Sequence, residues 1–521
     1  MQGRKQHTEK LFLSFQLSDR VPTDNFYRRL KDIMDLKWLY KQTAKYYGSE
    51  GQQSIDPIVF FKLILIGYLE NLGSDRRIIN TVSMRMDMLF FVGYDIDEPL
   101  PWHSTLSRTR QLYGGEVFKQ LFKQVLKQCI DKGMVAGKRQ AIDSVFVKAN
   151  ASMDSLNEKA ILNDGDDYAT TLTEEDEPII NTPDQDHTVS ASINKRVQQH
   201  HTWKAKAYKG MPGARKKTEE GNADEDKYLP RYVSNHTHYS TTDADARVSV
   251  KPGKPRQLNY LSQVSVDTNH HVITNIEAHH ADKKDSQCLP EVLENTIDNL
   301  HEEGLQIQEV LADGGYSSGE ALQSLEDYNI TGYIPNFGQY KHSREGFTYN
   351  KEHDRYTCKQ GKHLVFKKIK HTTPGYVMKH YRSSAKDCKN CPFKTTCIGK
   401  SNEKKIEDTI DKPLYDKMHE RLQSTKAKRF KKLRSSTVEP VIGTLVNYLA
   451  MKRVNTRGIQ QANKCMLMAA VAYNLKKLLN WKTNKVSTIV KAMQIKVENS
   501  LLKLVFHLWL LLASIQSKPD G

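Results

Sequence analysis

Long apolar runs are scarce in this 521-residue sequence. The strongest, Leu501 to Ala513, is interrupted by Lys503 and His507 and falls short of the roughly 20 residues that a membrane span needs. It reads as an amphipathic or core helix, and no membrane is expected as a partner. The opening residues, MQGRKQHTEK, are polar with no apolar h-region, which argues against a signal peptide. Cysteine is sparse too. Seven residues, an odd number unevenly spaced, exclude a disulfide framework and suit a reducing cytosol. Acidic residues are outnumbered, 61 against 78 Lys and Arg, for a formal charge of +17. That balance favours a polyanionic partner, nucleic acid first and an acidic membrane second. No internal repeat is visible, and the length allows two or three domains.

Residues 1–137 read as helical. Asp56-Pro57 has the form of a helix start, a cap followed by a first-turn proline. The segment after it, IVFFKLILIGYLENLG, is apolar almost all round and predicts a buried helix ending at Gly73, with a second helix starting near Ser74. In PWHSTLSRTRQLYG, Ser104 is expected to cap a short basic helix carrying Arg108 and Arg110. EVFKQLFKQVLKQCIDKG then places Val117, Leu121, Val125 and Ile130 on or near one face and ends at Gly133. Several short helices with one basic member fit a helix-turn-helix-like DNA-binding module as well as a plain bundle.

The pattern changes at Lys138. RQAIDSVFVKANAS is a strand. Residues 163–186 are acidic and without periodicity, and read as a loop or insertion. Residues 195–217 are basic, with Trp203 and Tyr208 among the cations, a composition that suits a phosphate backbone. From 258 the chain alternates: LNYLSQVSVD and HVITNIEAHH as strands, LPEVLENTIDNLHEEG as a helix, QEVLADGGY as a short strand ending at Asp313, a helix capped by Ser317 and Glu320, then TGYIPN as a strand. The expected fold class is α/β (α+β), a mixed sheet covered by helices and preceded by an all-α domain.

Two aspartates stand out by position. Asp143 lies in the first strand and Asp313 at the end of a later one, before Gly314-Gly315, and ligand sites in such sheets gather at strand ends. Carboxylates from distant segments are natural anchors for the divalent ions that support phosphodiester cleavage. Asp267 competes as a strand-end acid and reads as a turn residue. Ser436-Thr437-Val438-Glu439 has capping-box form, with Pro440 fitting a first turn.

The local sequences go further. AIDSVFVKANAS resembles the first-aspartate segment of bacterial insertion-sequence DDE transposases. STTDADARV followed by VSVD resembles the stretch between their first two acids. VLADGGYSSGEAL resembles the second-aspartate segment, and RSSTVEPVIGTL the third, where Val-Glu-Pro carries the glutamate at the start of a helix. DPIVFFKLILIGYLENLGSDRR and HSTLSRTR resemble the helical region that precedes the catalytic domain. The resemblance covers roughly residues 25–475, with its segments in the family's order. It implies a ribonuclease H-like catalytic fold, Mg²⁺ or Mn²⁺ held by Asp143, Asp313 and Glu439, and double-stranded DNA as partner, both terminal inverted repeats and target. It also implies Arg434 at the phosphate, Tyr316 lining the site, a homodimer on paired ends, and a cytoplasmic, nucleoid-associated location. One departure is visible: the family's lysine about seven residues past the glutamate is replaced by Val446-Asn447, with Lys452 and Arg453 one to two turns later. A catalytically decayed DNA-binding derivative and a related metal-dependent nuclease are the alternatives.

Cys388, Cys391 and Cys397 follow a C-x₂-C-x₅-C spacing, with Cys358 earlier. Four thiolates of this kind can close a structural Zn²⁺ site. Cys129, Cys288 and Cys465 sit in helical patterns and read as core. The run KAKRFKKLR, with Lys431, Lys432 and Arg434, is expected to contact the DNA backbone. The expected domains are 1–137, then 138–480 with an inserted segment 160–235 and a Cys-containing insertion 340–410, then a tail 481–521.

Overall fold

The structure, a computed structural model, describes residues 14–48, 50, 54–161, 201–202, 234–235, 237–250, 255–336, 340–371 and 377–481. The acidic segment 163–186, the basic segment 195–217 except for 201–202, and the apolar run 501–513 lie outside these residues. Two compact units emerge, Met1–Met134 with Met468–Gly521, and Val135–Leu467.

The first unit is helical: α1 (Leu17–Arg20), α2 (Phe26–Ile33), α3 (Trp38–Thr43), α4 (Pro57–Leu69), α5 (Asp75–Ser83), α6 (Met86–Val92), α7 (His103–Leu112) and α8 (Gly115–Asp131). The Asp56 carboxylate accepts the N–H groups of Ile58 and Val59 at 2.6 and 3.3 Å, and Pro57 takes the first position. Proline is tolerated there because that N–H has no partner inside the helix. Phe60, Phe61, Leu63, Leu65 and Ile66 of α4 are all buried. The helix stops at Leu69, before the expected Gly73, and Asn71 turns the chain in the left-handed region at φ 57°, which asparagine adopts at low cost. Ser74 caps α5 by accepting from Arg77 N–H at 3.3 Å. The expected cap at Ser104 is not used. The helix α7 has already started at His103, and the Ser104 hydroxyl instead accepts from Arg108 at 3.1 Å. Val117, Leu121 and Val125 of α8 are buried, and Gly133 closes it at φ 70°.

The second unit contains β1 (Arg139–Lys148), β2 (Leu156–Glu158), β3 (Ala160–Ile161), β4 (His201–Thr202), β5 (His238–Ser240), β6 (Arg247–Ser249), β7 (Gln257–Asp267), β8 (Ile273–His280), β9 (Glu309–Leu311) and β10 (Thr331–Tyr333). The main sheet has the order β10-β9-β1-β7-β6, with β8 also paired to β7. β7 runs antiparallel to β1, β6 and β8, whereas β9 and β10 run parallel to β1. The pairs β2–β5 and β3–β4 are short antiparallel ladders.

Side chains alternate across a strand, so each sheet face has its own cover. Ile142, Leu261 and Val310 form one core with α9 (Asp285–His301), α10 (Gly319–Asp327) and α11 (Lys412–Leu422). Leu311 and Tyr333 pack on the other face against Ala427 and Phe430 of α12 (Thr425–Tyr448). The cap of α10 is Ser318, which accepts from Ala321 N–H at 3.1 Å, rather than Ser317. Asp267 is the expected turn residue: buried, it accepts from Gly137 N–H at 2.8 Å and Asn269 N–H at 2.9 Å.

Residues 347–409 form a separate antiparallel sheet, β11 (Phe347–Asn350), β12 (Arg355–Cys358), β13 (His363–His371), β14 (Val377–Ser383) and β15 (Lys405–Thr409), in chain order. Its small core is Tyr356, Leu364, Tyr381 and Ile406. A further helix over 459–481 starts in the second unit and ends in the first. Among the described residues, no helix is long and apolar enough to cross a membrane.

Candidate active site

Strand register brings the two aspartates together. On the parallel strands β1 and β9, Arg139, Gln140 and Ala141 stand beside Glu309, Val310 and Leu311. Asp143 and Asp313 each follow the last of these pairs by two residues. Both strands run the same way, so the acids meet where β9 ends, midway along the longer β1. Asp313 heads a tight 3₁₀ turn, Gly314–Tyr316, and its Oδ1 accepts from Gly315 N–H at 2.8 Å. Burial lifts the Asp143 carboxyl above the ordinary carboxylate range. The charge of Asp313 adds to the rise, against the Ser144 N–H and Arg434, which lower it.

The third acid arrives on α12. Asp143 points to the face opposite Ile142, which is the face α12 covers. Arg434 Nη1 donates to Asp143 Oδ2 at 2.8 Å, and its Nη2 lies 3.8 Å from Glu439 Oε1. Glu439 is 62% exposed and is not at a helix start as expected. Ser424 caps α12 fifteen residues earlier by accepting from Ala427 N–H, and Pro440 lies inside the helix. One guanidinium thus bridges the first and third acids. Among the described residues, however, these three carboxylates do not form a group with ligand atoms within 4.8 Å of one another.

Sequence reasoning missed the groups behind Asp313. Tyr316 does not line an open site: it is fully buried, and its hydroxyl donates to Gln263 Oε1. Burial, followed by the charges of Asp285, Asp143 and Asp313, holds its phenol well above the usual value. Gln263, also fully buried, donates from Nε2 to Asp285 Oδ1 at 2.9 Å. A Cβ added to Gly315 would lie 3.0 Å from Asp313 Oδ1 and 3.2 Å from Asp285 Oδ2, so the two oxygens border one small space. In sequence Asp285 looks like any first-turn helix acid, and Gln263 like a polar residue in a strand.

The basic residues divide by exposure. Lys431 and Lys432 on α12 are exposed, as are Lys452, Arg453 and Arg108. The backbone of Lys452 accepts from Lys148 N–H at 3.2 Å, and Arg453 donates to Asn150 Oδ1 at 2.8 Å, which sets both at the end of β1. Arg110 departs from expectation. It is buried, with two guanidinium nitrogens 2.6 and 3.1 Å from the Asp75 carboxylate, so its charge serves the helical core rather than a phosphate.

Cys358, Cys388, Cys391 and Cys397 are half-buried free thiols in the small antiparallel subdomain. Among the described residues they do not form a metal-ligand group. Cys388 Sγ instead lies 3.1 Å from Ser383 Oγ. Cys129, Cys288 and Cys465 are buried, as the helical pattern required.

The group that does gather is Glu277, His279 and Glu291. Glu277 and His279 sit on β8, and Glu291 on α9. His279 Nε2 is 2.9 Å from Glu277 and its Nδ1 is 3.7 Å from Glu291, so each ring nitrogen faces a different carboxylate. Glu277 also accepts from Asn275 and Asn295. This is the arrangement of a clamped imidazolium rather than of ligands converging on one ion. Burial works against the charged ring, but hydrogen bonds to Cys288 and Glu277 outweigh it and push the His279 pKa up to about 9. A folded pKa above the unfolded value of about 6.5 gives stability that is complete below pH 6.5 and lost as pH rises through about 9. Thermal melting between pH 7 and 10 should therefore show a fall in Tm that is absent in His279→Gln. An equal fall in both would remove His279 as its cause.

Two segments of the chain match known protein families. Residues 15–112 match a family described as Transposase domain (DUF772), and residues 357–479 match one described as Transposase DDE domain. The second match includes Arg434 and Glu439. No curated protein matches the chain. The helical N-terminal region and mixed α/β sheet are consistent with these families. The two matches, in this order along one chain, support an insertion-sequence DDE transposase.

Proposed function

We propose that the chain cuts and joins DNA at insertion-sequence ends, with Asp143, Asp313 and Glu439 as the acids of a divalent-metal site on a ribonuclease H-like sheet. The observation that carries this reading is the meeting of remote segments beside the end of β9. Asp143 and Asp313 follow equivalent positions of neighbouring parallel strands, and Arg434, 291 residues beyond Asp143, joins Asp143 to the helix that bears Glu439. The strand order β8-β7-β1-β9-β10, with only β7 reversed relative to its neighbours, supports the fold assignment.

The donor set fits a hard cation. All its ligand atoms are carboxylate oxygens, and the guanidinium of Arg434 already draws positive charge between the first and third acids. When bound, the divalent ions would activate the attacking oxygen and offset the charge of the pentavalent transition state. The chain's own groups hold and orient the DNA. Arg434 would receive a phosphate, and exposed Lys431 and Lys432 on the same helix would follow the backbone. Water first attacks the phosphodiester at the element end and frees a 3′-hydroxyl. That hydroxyl then displaces a 3′-oxygen in target DNA, so no side-chain nucleophile is needed. By the same reading the active species is a homodimer on paired ends, which sedimentation of the DNA complex would register.

The test is cleavage of a labelled duplex carrying the element's terminal sequence, with Mg²⁺, Mn²⁺ or EDTA. Cutting in either metal and none in EDTA is expected. Joining of a pre-cut end to a second duplex separates a transposase from a nuclease. One observation favours a second reading, binding without cutting: Val446 and Asn447 supply no cation where the family carries a lysine. Specific binding with no cleavage in any metal would establish it.

A further inference from the structure

The primary amide of Gln263 touches both Asp285 and Tyr316, two groups beside Asp313. It lies in β7, opposite Ser144 of β1, on the sheet face covered by α9. Its nitrogen donates to Asp285, the first residue of α9, and its oxygen accepts from Tyr316, the last residue of the turn that starts after Asp313. A buried polar side chain is tolerated only when such bonds are made. Here each bond ends on a group beside the second acid. A primary amide presents a donor and an acceptor on separate atoms of one planar group, and here each meets its own partner. A carboxylate in its place would face Asp285 with like charge, and an aliphatic chain would leave Tyr316 and Asp285 without these partners.

We propose that Gln263 is a positioning residue for the second acid: through one amide it ties Asp285 and Tyr316 together and so fixes the turn that carries Asp313. The proposal rests on the metal-site reading above and deepens it. It also gives Asp285 a definite part. With Oδ1 held by Gln263, its Oδ2 is left bordering the space beside Asp313 Oδ1.

Two readouts on the full chain test this, Mn²⁺ binding by calorimetry and amide hydrogen exchange across residues 313–317. Groups that orient a ligand typically govern metal affinity by about 10–100-fold, so Gln263→Leu should weaken Mn²⁺ binding by about that factor. It should also speed exchange at the Gly315 N–H, which donates to Asp313. Tyr316→Phe, which removes only the hydroxyl, should move both readouts in the same direction by less, and it serves if Gln263→Leu does not fold. Gln263→Glu should be at least as damaging as the leucine. Gln263→Glu combined with Asp285→Asn reverses the donor and acceptor, and should bring exchange at the Gly315 N–H most of the way back to wild type. Unchanged Mn²⁺ binding and exchange in Gln263→Leu, or a double variant no better than Gln263→Glu alone, would overturn the proposal. Should Asp313→Asn bind Mn²⁺ as wild type does, the metal-site reading fails instead. The exchange rates then still decide whether Gln263 holds the turn.

Discussion

Asp143→Asn and Asp313→Asn should each lower DNA cleavage by about 10³-fold or more, equivalent to roughly 4 kcal/mol of transition-state stabilisation, with duplex binding nearly unchanged. Each substitution keeps the size of the side chain and removes one of the charges that would anchor a divalent ion. The Asp143 variant carries a second signature. Burial and the neighbouring Asp313 hold the Asp143 carboxyl above its ordinary pKa, so folding works against the charged form. A neutral amide relieves that cost. Asp143→Asn should therefore melt a few degrees higher than wild type while losing cleavage, the exchange of stability for activity expected where a fold keeps an unfavourable charge for chemistry. Gel-based cleavage, fluorescence anisotropy and melting curves on the same preparations check all three. Cleavage within threefold of wild type for either variant would remove these acids from the mechanism.

Arg110→Ala should destabilise the helical unit by about 3–5 kcal/mol, the usual cost of breaking a buried pair by removing one partner. The guanidinium and the Asp75 carboxylate are 6% and 13% exposed, and the pair ties α7 to the first residue of α5. Truncation would leave the Asp75 charge beside an apolar gap. Replacing both partners together with apolar residues should restore much of the loss, because the penalty lies in the unpaired charge. Arg108→Ala offers the contrast. It is exposed, and surface substitutions of this kind move stability by less than about 0.5 kcal/mol, so its effect should appear in DNA affinity and in the salt dependence of binding. Chemical denaturation and salt-titrated binding separate the two residues. If Arg110→Ala weakened DNA binding without destabilising the unit, the structural assignment of Arg110 would be wrong.

Arg108 and Arg110 also show where sequence reading reaches and where it stops. Two arginines on one short helix look alike in sequence, and the partner that separates them lies 35 residues upstream. The apolar segment after Pro57 was readable as a buried helix because its own composition leaves no polar face. Asp313 was singled out because it closes a short β-branched run before a glycine pair, whereas Asp143 lies inside β1 and was singled out by resemblance to the family's first-aspartate segment. Glu439 was singled out by its neighbours Val438 and Pro440, but its place in the helix was misread. Ser436-Thr437-Val438-Glu439 has the form of a cap, yet the preceding Lys- and Arg-rich run is good helix-forming sequence and α12 is already under way there. Asp285 and Gln263 were invisible for a different reason. Their meaning comes from bonds across β7, α9 and the Asp313 turn, and no local pattern encodes a tertiary hydrogen bond. Residues 340–410 stood out in sequence for their cysteines, whereas the antiparallel sheet over 347–409 was not foreseen from its short, mixed strands.

The 291-residue separation between Asp143 and Arg434 has a kinetic consequence. Ribosomes deliver chains from the N-terminus, so β1 and its aspartate emerge long before α12. Contacts of such range form late and slowly, since the loop entropy must be met before any contact rewards it. The helix with Arg434 and Glu439 is therefore the last part of the site to arrive, and a nascent or truncated chain ending before it holds no complete set of acids. On the proposed function, cleavage would therefore await the synthesis of α12, a delay that follows from the order of the chain without any inhibitor.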